Sequence, residues 1–231
     1  MAVSSRFADL PPTTIHDWAR SDEYHNSFLI PKDPAIDYAI HKSKEHGLPD
    51  ISVTEAQGKL LNLLARSLGA KRILEVGTLG GYSTIWLGRA LPEDGHLTTL
   101  EISEAHAKVA EGNIANAGLT NKVTVKVGPA AETLKTLSPN PPFDLAFIDA
   151  DKSGNLTYFL EAKRLLSKGG VIIVDNVVRN ATVADPGVSD ENIEGVRALL
   201  EHLKADKEVD ATTIATVGGK GYDGFLYALK L

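Results

Sequence analysis

Apolar residues from about position 52 onward fall in short runs that alternate with amphipathic stretches. Five of these runs have the length and composition of buried strands, namely RILEV, HLTTLEI, KVTVKVG, FDLAFID and GGVIIVDN. Each is followed by a stretch with helical periodicity. Strand–helix alternation of this kind predicts an α/β fold with a mostly parallel sheet and helices on both of its faces.

The end of the chain has a different pattern. The last two apolar runs are VDATTIATV and YDGFLYALK, and the short link GGKG joins them without a helix. Such a link favours an antiparallel hairpin. We therefore expect about seven strands, with one antiparallel strand near an edge of the sheet. Ligands of such sheets bind beyond the carboxyl ends of the strands, so the residues after each strand are the candidates for function.

Helix signals and breakers outline the organisation of the chain. The first 50 residues are polar and are broken by prolines at positions 11, 12, 31, 34 and 49, which predicts one or two short helices and loops. Thr54 and Gln57 have the spacing of a capping box, and Gly69 marks the end of the helix that follows. No flexible linker or internal repeat divides the sequence, so we expect a single domain over residues 1–231.

Composition and charge exclude several classes of protein. The chain contains no cysteine, which excludes disulfides, thiolate catalysis and cysteine-ligated metals. Its net charge of −6 disfavours binding to nucleic acid, although Lys42, Lys44, Lys71 and Arg72 would form a local basic patch if they met in space. No apolar run is long enough to span a bilayer, and MAVSSRFADLPP lacks the apolar core of a signal peptide. A cytoplasmic protein is the expectation.

The segment after the first strand, LEVGTLGGYS, is rich in glycine. Gly77, Gly80 and Gly81 would let the backbone turn tightly and approach a ligand, but their spacing is not that of the dinucleotide fingerprint. An acid two residues before the first glycine, Glu75, would repel a pyrophosphate and suit an amino group. This pattern favours a ligand with an ammonium and a carboxylate, such as S-adenosylmethionine. A glycine-rich turn without any ligand is the alternative.

The next two strand ends suit an adenosine. Glu101 ends the second strand, where an acid can accept hydrogen bonds from both ribose hydroxyls. Gly128, Pro129 and Ala130 follow the third strand, and their small side chains would leave room for a flat adenine. A solvated surface acid and a plain loop before a helix are the respective alternatives.

The fourth and fifth strands both end in oxygen ligands. Asp149 follows one strand, and Asp175 and Asn176 follow the other. If these strands are neighbours, two carboxylates and an amide oxygen meet, and such a set selects Mg²⁺, Mn²⁺ or Ca²⁺ over zinc. The alternative is that Asp149 caps a helix while Asp175 lies in a turn. Lys152 is a candidate general base beside the ion, or else a surface lysine that pairs with Asp151.

Together these strand-end motifs resemble those of the metal-dependent class I O-methyltransferases. The resemblance is greatest to the caffeoyl-CoA O-methyltransferase-like family and weaker to the animal catechol O-methyltransferases. It extends from about Ile51 to the C-terminus and rests on the segments LEVGTLGGYS, LPEDGHLTTLEI, VGPA, FIDADK and VDNVVRN. Plant members of the family carry Tyr and Trp where this chain has Asn155 and Arg179, two positions on the acceptor side.

The resemblance implies a Rossmann-like methyltransferase fold and S-adenosylmethionine as the methyl donor. It implies that Asp149, Asp175 and Asn176 bind the metal and that Lys152 is the catalytic base. It also implies that Asp149 and Asn180 lie near the acceptor. The donor site that it implies consists of Val53, Glu75, Gly77, Thr78, Ser83, Glu101, Ala130 and Asp151.

The expected activity is metal-dependent O-methylation of a vicinal dihydroxy aromatic such as a phenylpropanoid or flavonoid, with Mg²⁺ as the first choice of ion. A methyltransferase acting on hydroxylated RNA bases is the alternative, which the acidic balance disfavours. The glycine spacing argues against a nicotinamide dehydrogenase, and the intact metal set argues against a non-catalytic binding protein.

The resemblance also implies a homodimer, with residues 1–50 covering the acceptor site or the dimer interface. Several aromatic residues of this segment would be buried against a second subunit or would cover the chain's own core. They are Trp18, Tyr24, Phe28 and Tyr38.

Overall fold

The computed structural model describes residues 11–231 and contains a seven-stranded sheet. Its strands are β1 (Arg72–Val76), β2 (His96–Glu101), β3 (Val123–Val127), β4 (Phe143–Ile148), β5 (Leu166–Asp175), β6 (Val209–Gly218) and β7 (Gly221–Lys230). They lie in the order β3-β2-β1-β4-β5-β7-β6. Strand β7 is antiparallel to β5 and β6, whereas the pairs among β1 to β5 are parallel. The mostly parallel sheet with an antiparallel strand beside its edge is confirmed.

Helices cover both faces of this sheet. They are α1 (Ile15–Leu29), α2 (Pro34–Glu45), α3 (Glu55–Ser67), α4 (Tyr82–Gly88), α5 (Glu104–Asn116), α6 (Ala130–Thr136), α7 (Asn155–Leu165) and α8 (Glu191–Ala205). Two short 3-10 helices, Lys152–Gly154 and Thr182–Ala184, follow β4 and β5.

Alternate residues of the strands build two hydrophobic cores. In β1, Ile73 packs with helices α2 to α5, whereas Leu74 and Val76 pack with α6 to α8 on the opposite face. All three side chains are fully buried, and each such burial contributes about 1.5–3 kcal/mol to the free energy of unfolding. The period of two along the strands therefore fixes which side chains support each layer of helices.

Local signals explain most helix ends. The Thr54 side chain accepts the Gln57 amide, and the Gln57 side chain accepts the Thr54 amide, so the capping box at the start of α3 is present. Gly69 adopts the left-handed conformation, with φ of 62°, just after the helix. One boundary differs from the sequence pattern, in which helical periodicity over GNLTYFLEAKRLL predicts a helix that continues to Leu166. Leu166 begins β5 instead of extending α7, because its backbone pairs with Phe143 of β4.

The N-terminal region is more helical than the sequence suggested. Helix α1 has 15 residues and α2 has 12, where we expected short pieces. Helix α1 has no buried residue, and its Tyr24 and Phe28 are 63% and 71% exposed. These aromatics therefore do not cover the core of their own chain. Within residues 11–231, no helix combines the length and the apolar character that a membrane crossing requires.

Candidate active site

A cavity of about 860 Å³ opens at the carboxyl ends of β1, β2, β4 and β5. Helix α2 and the segment before α3 close one side of it, so the N-terminal region forms part of its wall. Glu75, Asp175 and Asn180 lie outside the wall. The residues proposed from the sequence that do line it are Val53, Gly77, Thr78, Ser83, Glu101, Ala130, Asp149, Asp151, Lys152 and Asn176.

The glycine turn after β1 is pressed against the end of β4. Gly77 has φ of 99°, and a Cβ there would collide with the backbone carbonyl of Asp149. Asn113 of α5 donates a hydrogen bond from Nδ2 to the Gly80 carbonyl at 2.8 Å, which fixes the far side of the turn. Glycine at position 77 is thus required both by the backbone conformation and by the close approach of two strand ends.

Glu75 lies beneath this turn and is fully buried. Its carboxylate accepts hydrogen bonds from the hydroxyls of Ser83 at 2.7 Å, Thr84 at 2.5 Å and Thr99 at 2.7 Å. Burial raises the pKa of Glu75 to about 7, against the lowering effect of the three hydroxyls. Glu75 therefore lies below the floor of the cavity and does not line it. It orients Ser83, which lines the cavity.

Glu101 at the end of β2 is buried in the cavity wall. One carboxylate oxygen accepts the backbone amide of Leu79 at 2.7 Å and that of Thr78 at 3.3 Å, and the other accepts the amide of Ser103 at 3.0 Å. Nδ1 of His106 lies 3.6 Å from the latter oxygen. The acid proposed for ribose binding therefore also ties the glycine turn to the end of β2.

Asp149 and Asp175 follow neighbouring strands, as β4 and β5 are paired in parallel. Lys152 is 6% exposed, and its Nζ lies 2.9 Å from Oδ1 of Asp149. Burial and the charge of Asp149 raise the pKa of Asp175 to about 7, and Lys152 opposes this effect. Neither alternative from the sequence holds, because Lys152 pairs with Asp149 in a buried position and Asp151, not Asp149, caps the following 3-10 helix.

The sequence did not point to Asp223, which holds Asn176 in place. Oδ2 of Asp223 accepts a hydrogen bond from Nδ2 of Asn176 at 3.1 Å. Oδ1 of Asp223 accepts the backbone amides of Val178 at 3.2 Å, Arg179 at 2.8 Å and Gly224 at 2.9 Å. Because the amide nitrogen of Asn176 is occupied, its oxygen is the atom that remains for a ligand in the cavity. The motif YDGF on β7 gives no local hint of this role.

The oxygens at these strand ends fit a hard divalent cation. Within residues 11–231, Oδ2 of Asp149, Oδ2 of Asp175 and Oδ1 of Asn176 accept no hydrogen bond, whereas Oδ1 of Asp175 accepts the Asn176 amide at 2.8 Å. Two carboxylates and an amide are the donors that Mg²⁺ prefers. In the described part of the chain, no group of three or more His, Cys, Asp or Glu side chains is arranged for a metal, so the amide is needed to complete the set.

Asp151 makes its hydrogen bonds to other residues than Asp149 and Lys152 do. It accepts hydrogen bonds from the Tyr158 hydroxyl at 2.6 Å, the Ser153 hydroxyl at 3.0 Å and the Gly154 amide at 3.0 Å. Burial acts to raise the pKa of Asp151, but these hydrogen bonds outweigh it and the pKa is lowered. Asp151 thus presents an ionised carboxylate to the cavity. Tyr158 lines the cavity as well, and sequence patterns did not reveal it.

The loop after β5 is strained. Four of its residues have φ between 51° and 63°, a backbone region that residues other than glycine rarely adopt. They are Asn176, Arg179, Asn180 and Ala181. Asn180 is exposed and its amide donates to the Tyr222 carbonyl at 2.9 Å, whereas Arg179 lines the cavity. Of these two residues, Arg179 is therefore the one that reaches the cavity.

The four basic residues considered for a nucleic-acid patch do not meet. Lys44 of α2 lies at the cavity, beyond the carboxyl ends of the strands, whereas Lys71 and Arg72 stand at the amino end of β1. Lys42 pairs with Glu45 at 2.8 Å and Lys71 pairs with Asp94 at 2.7 Å. These positions give no basic surface that tracks a phosphate backbone.

The sheet order, the antiparallel β7 and a cavity between a glycine turn and an acid at the end of β2 define the class of Rossmann-like methyltransferases. The model of a family described as O-methyltransferase matches residues 33–230. The chain belongs to this O-methyltransferase family and is a methyltransferase.

The relatives agree with this assignment. A catechol O-methyltransferase of Mycobacterium tuberculosis is 46% identical over 208 residues, which is 90% of this chain and 94% of that protein. The structure of an O-methyltransferase from Bacillus cereus in complex with SAH has a TM-score of 0.91 and 44% identity, covering 94% of this chain and 100% of that one. TomG of Streptomyces achromogenes, an O-methyltransferase of tomaymycin synthesis solved with SAM, has a TM-score of 0.91 and 45% identity, covering 95% and 99%.

Proposed function

We propose that this enzyme transfers a methyl group from S-adenosylmethionine to one hydroxyl of a catechol-type small molecule, with Mg²⁺ bound at the end of the sheet. Mn²⁺ and Ca²⁺ suit the same oxygen donors. The observation that carries the proposal is the meeting of Lys152, Asp149 and Asn176 in one cavity with the glycine turn and Glu101. The acceptors we expect are phenylpropanoids, flavonoids and related vicinal diols.

Two kinds of support favour this donor and this acceptor. The relatives from Bacillus cereus and Streptomyces achromogenes were solved with SAH and SAM, at 44% and 45% identity. The relative from Mycobacterium tuberculosis is named a catechol O-methyltransferase. For the donor we propose Val53 and the residues of the glycine turn at the methionine end, Glu101 at the ribose, Ala130 at the adenine and Asp151 nearby.

The cation would be held by Asp149, Asp175 and Asn176. When bound there, it supplies positive charge that stabilises a phenolate. Asp149 would lie next to the acceptor, and we propose Asn180 on the outer side of the same site. Burial and, to a lesser extent, the charge of Asp149 raise the pKa of Asp175, so ionising this carboxyl group is costly, and a bound cation would offset that cost.

Lys152 is the proposed general base. Its amine is buried, lines the cavity and lies 2.9 Å from Asp149, so it is fixed beside the site of the acceptor hydroxyl. Lys152 would act as a neutral amine, which takes the phenolic proton and becomes an ammonium paired with Asp149. The resulting phenolate oxygen takes the methyl group from the sulfonium sulfur, which becomes a neutral thioether. Alignment of the two reactants in one cavity contributes about 7–11 kcal/mol to lowering such a barrier.

The experiment is a methyl-transfer assay with catechols, flavonoids and hydroxycinnamates, with and without Mg²⁺. Mass spectrometry detects the added methyl group and NMR identifies the methylated position. We expect single methylation of vicinal diols that requires the ion. Full activity in excess chelator would reject the metal role, and methylation of RNA with no turnover of catechols would favour the RNA alternative.

We propose further that residues 1–231 form one domain and that two copies form a homodimer. The support for the homodimer is the exposed apolar surface of α1, whose Tyr24, Phe28 and Leu29 are 63%, 71% and 68% exposed. Helix α1 packs near β6, a ten-residue edge strand that is largely exposed. An exposed edge strand next to an apolar helix face is a surface that proteins usually cover.

A further inference from the structure

The acceptor side of the cavity carries a cation that no group of the described chain neutralises. Arg179 is half-buried and lines the cavity. Within residues 11–231 its hydrogen bonds involve only the backbone, namely its amide to Asp223 and its carbonyl from Thr182. By contrast, Arg89 and Arg197 both pair with carboxylates. An unpaired guanidinium on a cavity wall is a site for a ligand's anion.

The position of Arg179 is fixed relative to the proposed metal ligand. The same carboxylate, that of Asp223, binds the Arg179 amide at 2.8 Å and Nδ2 of Asn176 at 3.1 Å. Arg179 has φ of 51°, and the residues after it share this left-handed conformation. The backbone is therefore held in a conformation that a flexible loop would avoid, and an acceptor bound next to Asn176 lies within reach of the arginine side chain.

Three acids that line the cavity have partners other than Arg179. Asp149 pairs with Lys152 at 2.9 Å. Glu101 accepts backbone amides, including that of Leu79 at 2.7 Å, and Asp151 accepts the Tyr158 hydroxyl at 2.6 Å. The methyl donor is a cation at its sulfur, so it repels a guanidinium placed near the reacting atoms. The donor's carboxylate belongs to its methionine end, which we place at Val53 and the glycine turn, whereas Arg179 follows β5. The anion proposed for Arg179 is therefore one carried by the acceptor.

We propose that Arg179 selects catechols that carry a carboxylate substituent, a refinement that rests on the proposed function. The planar guanidinium matches a carboxylate with two parallel hydrogen bonds, which a neutral amide or ester cannot reproduce. In a half-buried site a charge-assisted contact of this kind corresponds to a roughly 10- to 100-fold preference in kcat/KM for the carboxylate over its neutral analogue. Arg179 is thus a specificity-determining residue, whereas Lys152 and the metal ligands serve every catechol.

The test compares 3,4-dihydroxybenzoate with the neutral and nearly isosteric 3,4-dihydroxybenzamide, in the wild type and in Arg179→Met. The ratio of kcat/KM for the acid to that for the amide is measured in each enzyme, so intrinsic differences in reactivity cancel. We expect Arg179→Met to lower this ratio roughly 10- to 100-fold, mainly through KM for the acid. Arg179→Lys keeps the charge and should retain part of the preference. Arg66→Met, at an exposed arginine of α3, should leave the ratio unchanged.

A binding measurement provides a readout independent of turnover. Calorimetric titration of 3,4-dihydroxybenzoate into the enzyme with Mg²⁺ and S-adenosylhomocysteine should give a Kd that Arg179→Met raises by the same factor. Added NaCl should weaken binding of the acid more than binding of the amide.

The outcomes separate this inference from the proposed function. If the wild type methylates both catechols but the acid-to-amide ratio is the same in Arg179→Met, the inference is overturned and the proposed function stands. If Arg179→Met raises KM for S-adenosylmethionine equally with either acceptor, Arg179 contacts the donor and the inference is again overturned. If the wild type methylates neither compound in the presence of Mg²⁺ and binds neither, both fail.

Discussion

Lys152 illustrates how a single residue depends on its surroundings for a chemical role. A lysine amine on a surface is an ordinary solvated cation, but this one is 6% exposed and lies against Asp149 in the wall of a cavity. In the proposed reaction, an amine fixed in this way would accept the proton of a bound hydroxyl without a further loss of conformational entropy.

We expect Lys152→Met to reduce kcat by about 10²- to 10⁴-fold, because the phenolic proton loses its acceptor. Binding of S-adenosylhomocysteine, measured by calorimetry, should change little. Lys168→Met is the matched control, since Lys168 is exposed near the start of β5, at the end of the strand opposite to Asp175. A Lys152→Met enzyme with wild-type kcat would exclude the general-base role.

The raised pKa of Glu75 leads to a prediction about the free energy of unfolding. Burial raises its pKa to about 7 from an ordinary 4.5, so the folded state favours the neutral acid. The contribution of Glu75 to the free energy of unfolding is therefore fully present below pH 4.5 and is lost as the pH rises through 7. Glu75→Gln removes the titrating group, so between these pH values the variant should gain stability relative to the wild type, by at most about 3 kcal/mol.

Urea unfolding at several pH values between 4.5 and 8 measures this difference. The side-chain amide introduced by Glu75→Gln also weakens the hydrogen bonds with Thr84 and Thr99, but that loss of stability is the same at every pH. The slope of the difference against pH is therefore the informative quantity, and two parallel stability curves would contradict the account.

At the scale of elements, the loop after β5 is fastened to β7. Asp223 of β7 accepts three backbone amides and the Asn176 side chain. An antiparallel strand next to β5 thus orients Asn176, a residue of the proposed metal site, as hydrogen-bond partners of metal ligands commonly do.

We expect Asp223→Asn to weaken binding of Mn²⁺ about 10- to 100-fold, because one oxygen acceptor becomes an NH₂ donor and the Asn176 amide loses its fixed orientation. Titration of Mn²⁺ followed by electron paramagnetic resonance gives the Kd in the absence of turnover. Asp210→Asn, on an exposed position of β6, should leave the Kd unchanged. An unaltered Kd in Asp223→Asn would show that Asp223 only supports the loop.

Sequence patterns predicted the elements well and the contacts between distant elements poorly. The order of strands and helices and the capping box at Thr54 follow from periodicity and from helix-start signals. The metal-site hypothesis required β4 and β5 to be neighbours, and the structure shows that they pair. Asp223 and Asn176 are 47 residues apart, and no local pattern joins them. Likewise Leu166 joins β5 because of its partner in β4, a tertiary effect that overrides local helical periodicity.

At the scale of the molecule, the exposed apolar face of α1 predicts association. We expect the wild type to have twice the mass of one chain by light scattering, and Phe28→Asp to shift it to the mass of one chain, because a charge at a packed interface is costly. Val127→Asp is the control, since Val127 is also exposed but lies on β3 at the opposite edge of the sheet. A wild type with the mass of one chain would contradict the proposed dimer.

The whole account depends on a hard cation held where two strands end. The most direct test is a crystal structure of the enzyme with Mn²⁺ and S-adenosylhomocysteine, with anomalous data collected at the manganese edge. We predict one strong anomalous peak within coordination distance of Asp149, Asp175 and Asn176, next to the bound nucleoside. A map with the nucleoside present but no anomalous peak at these three residues would contradict the central claim.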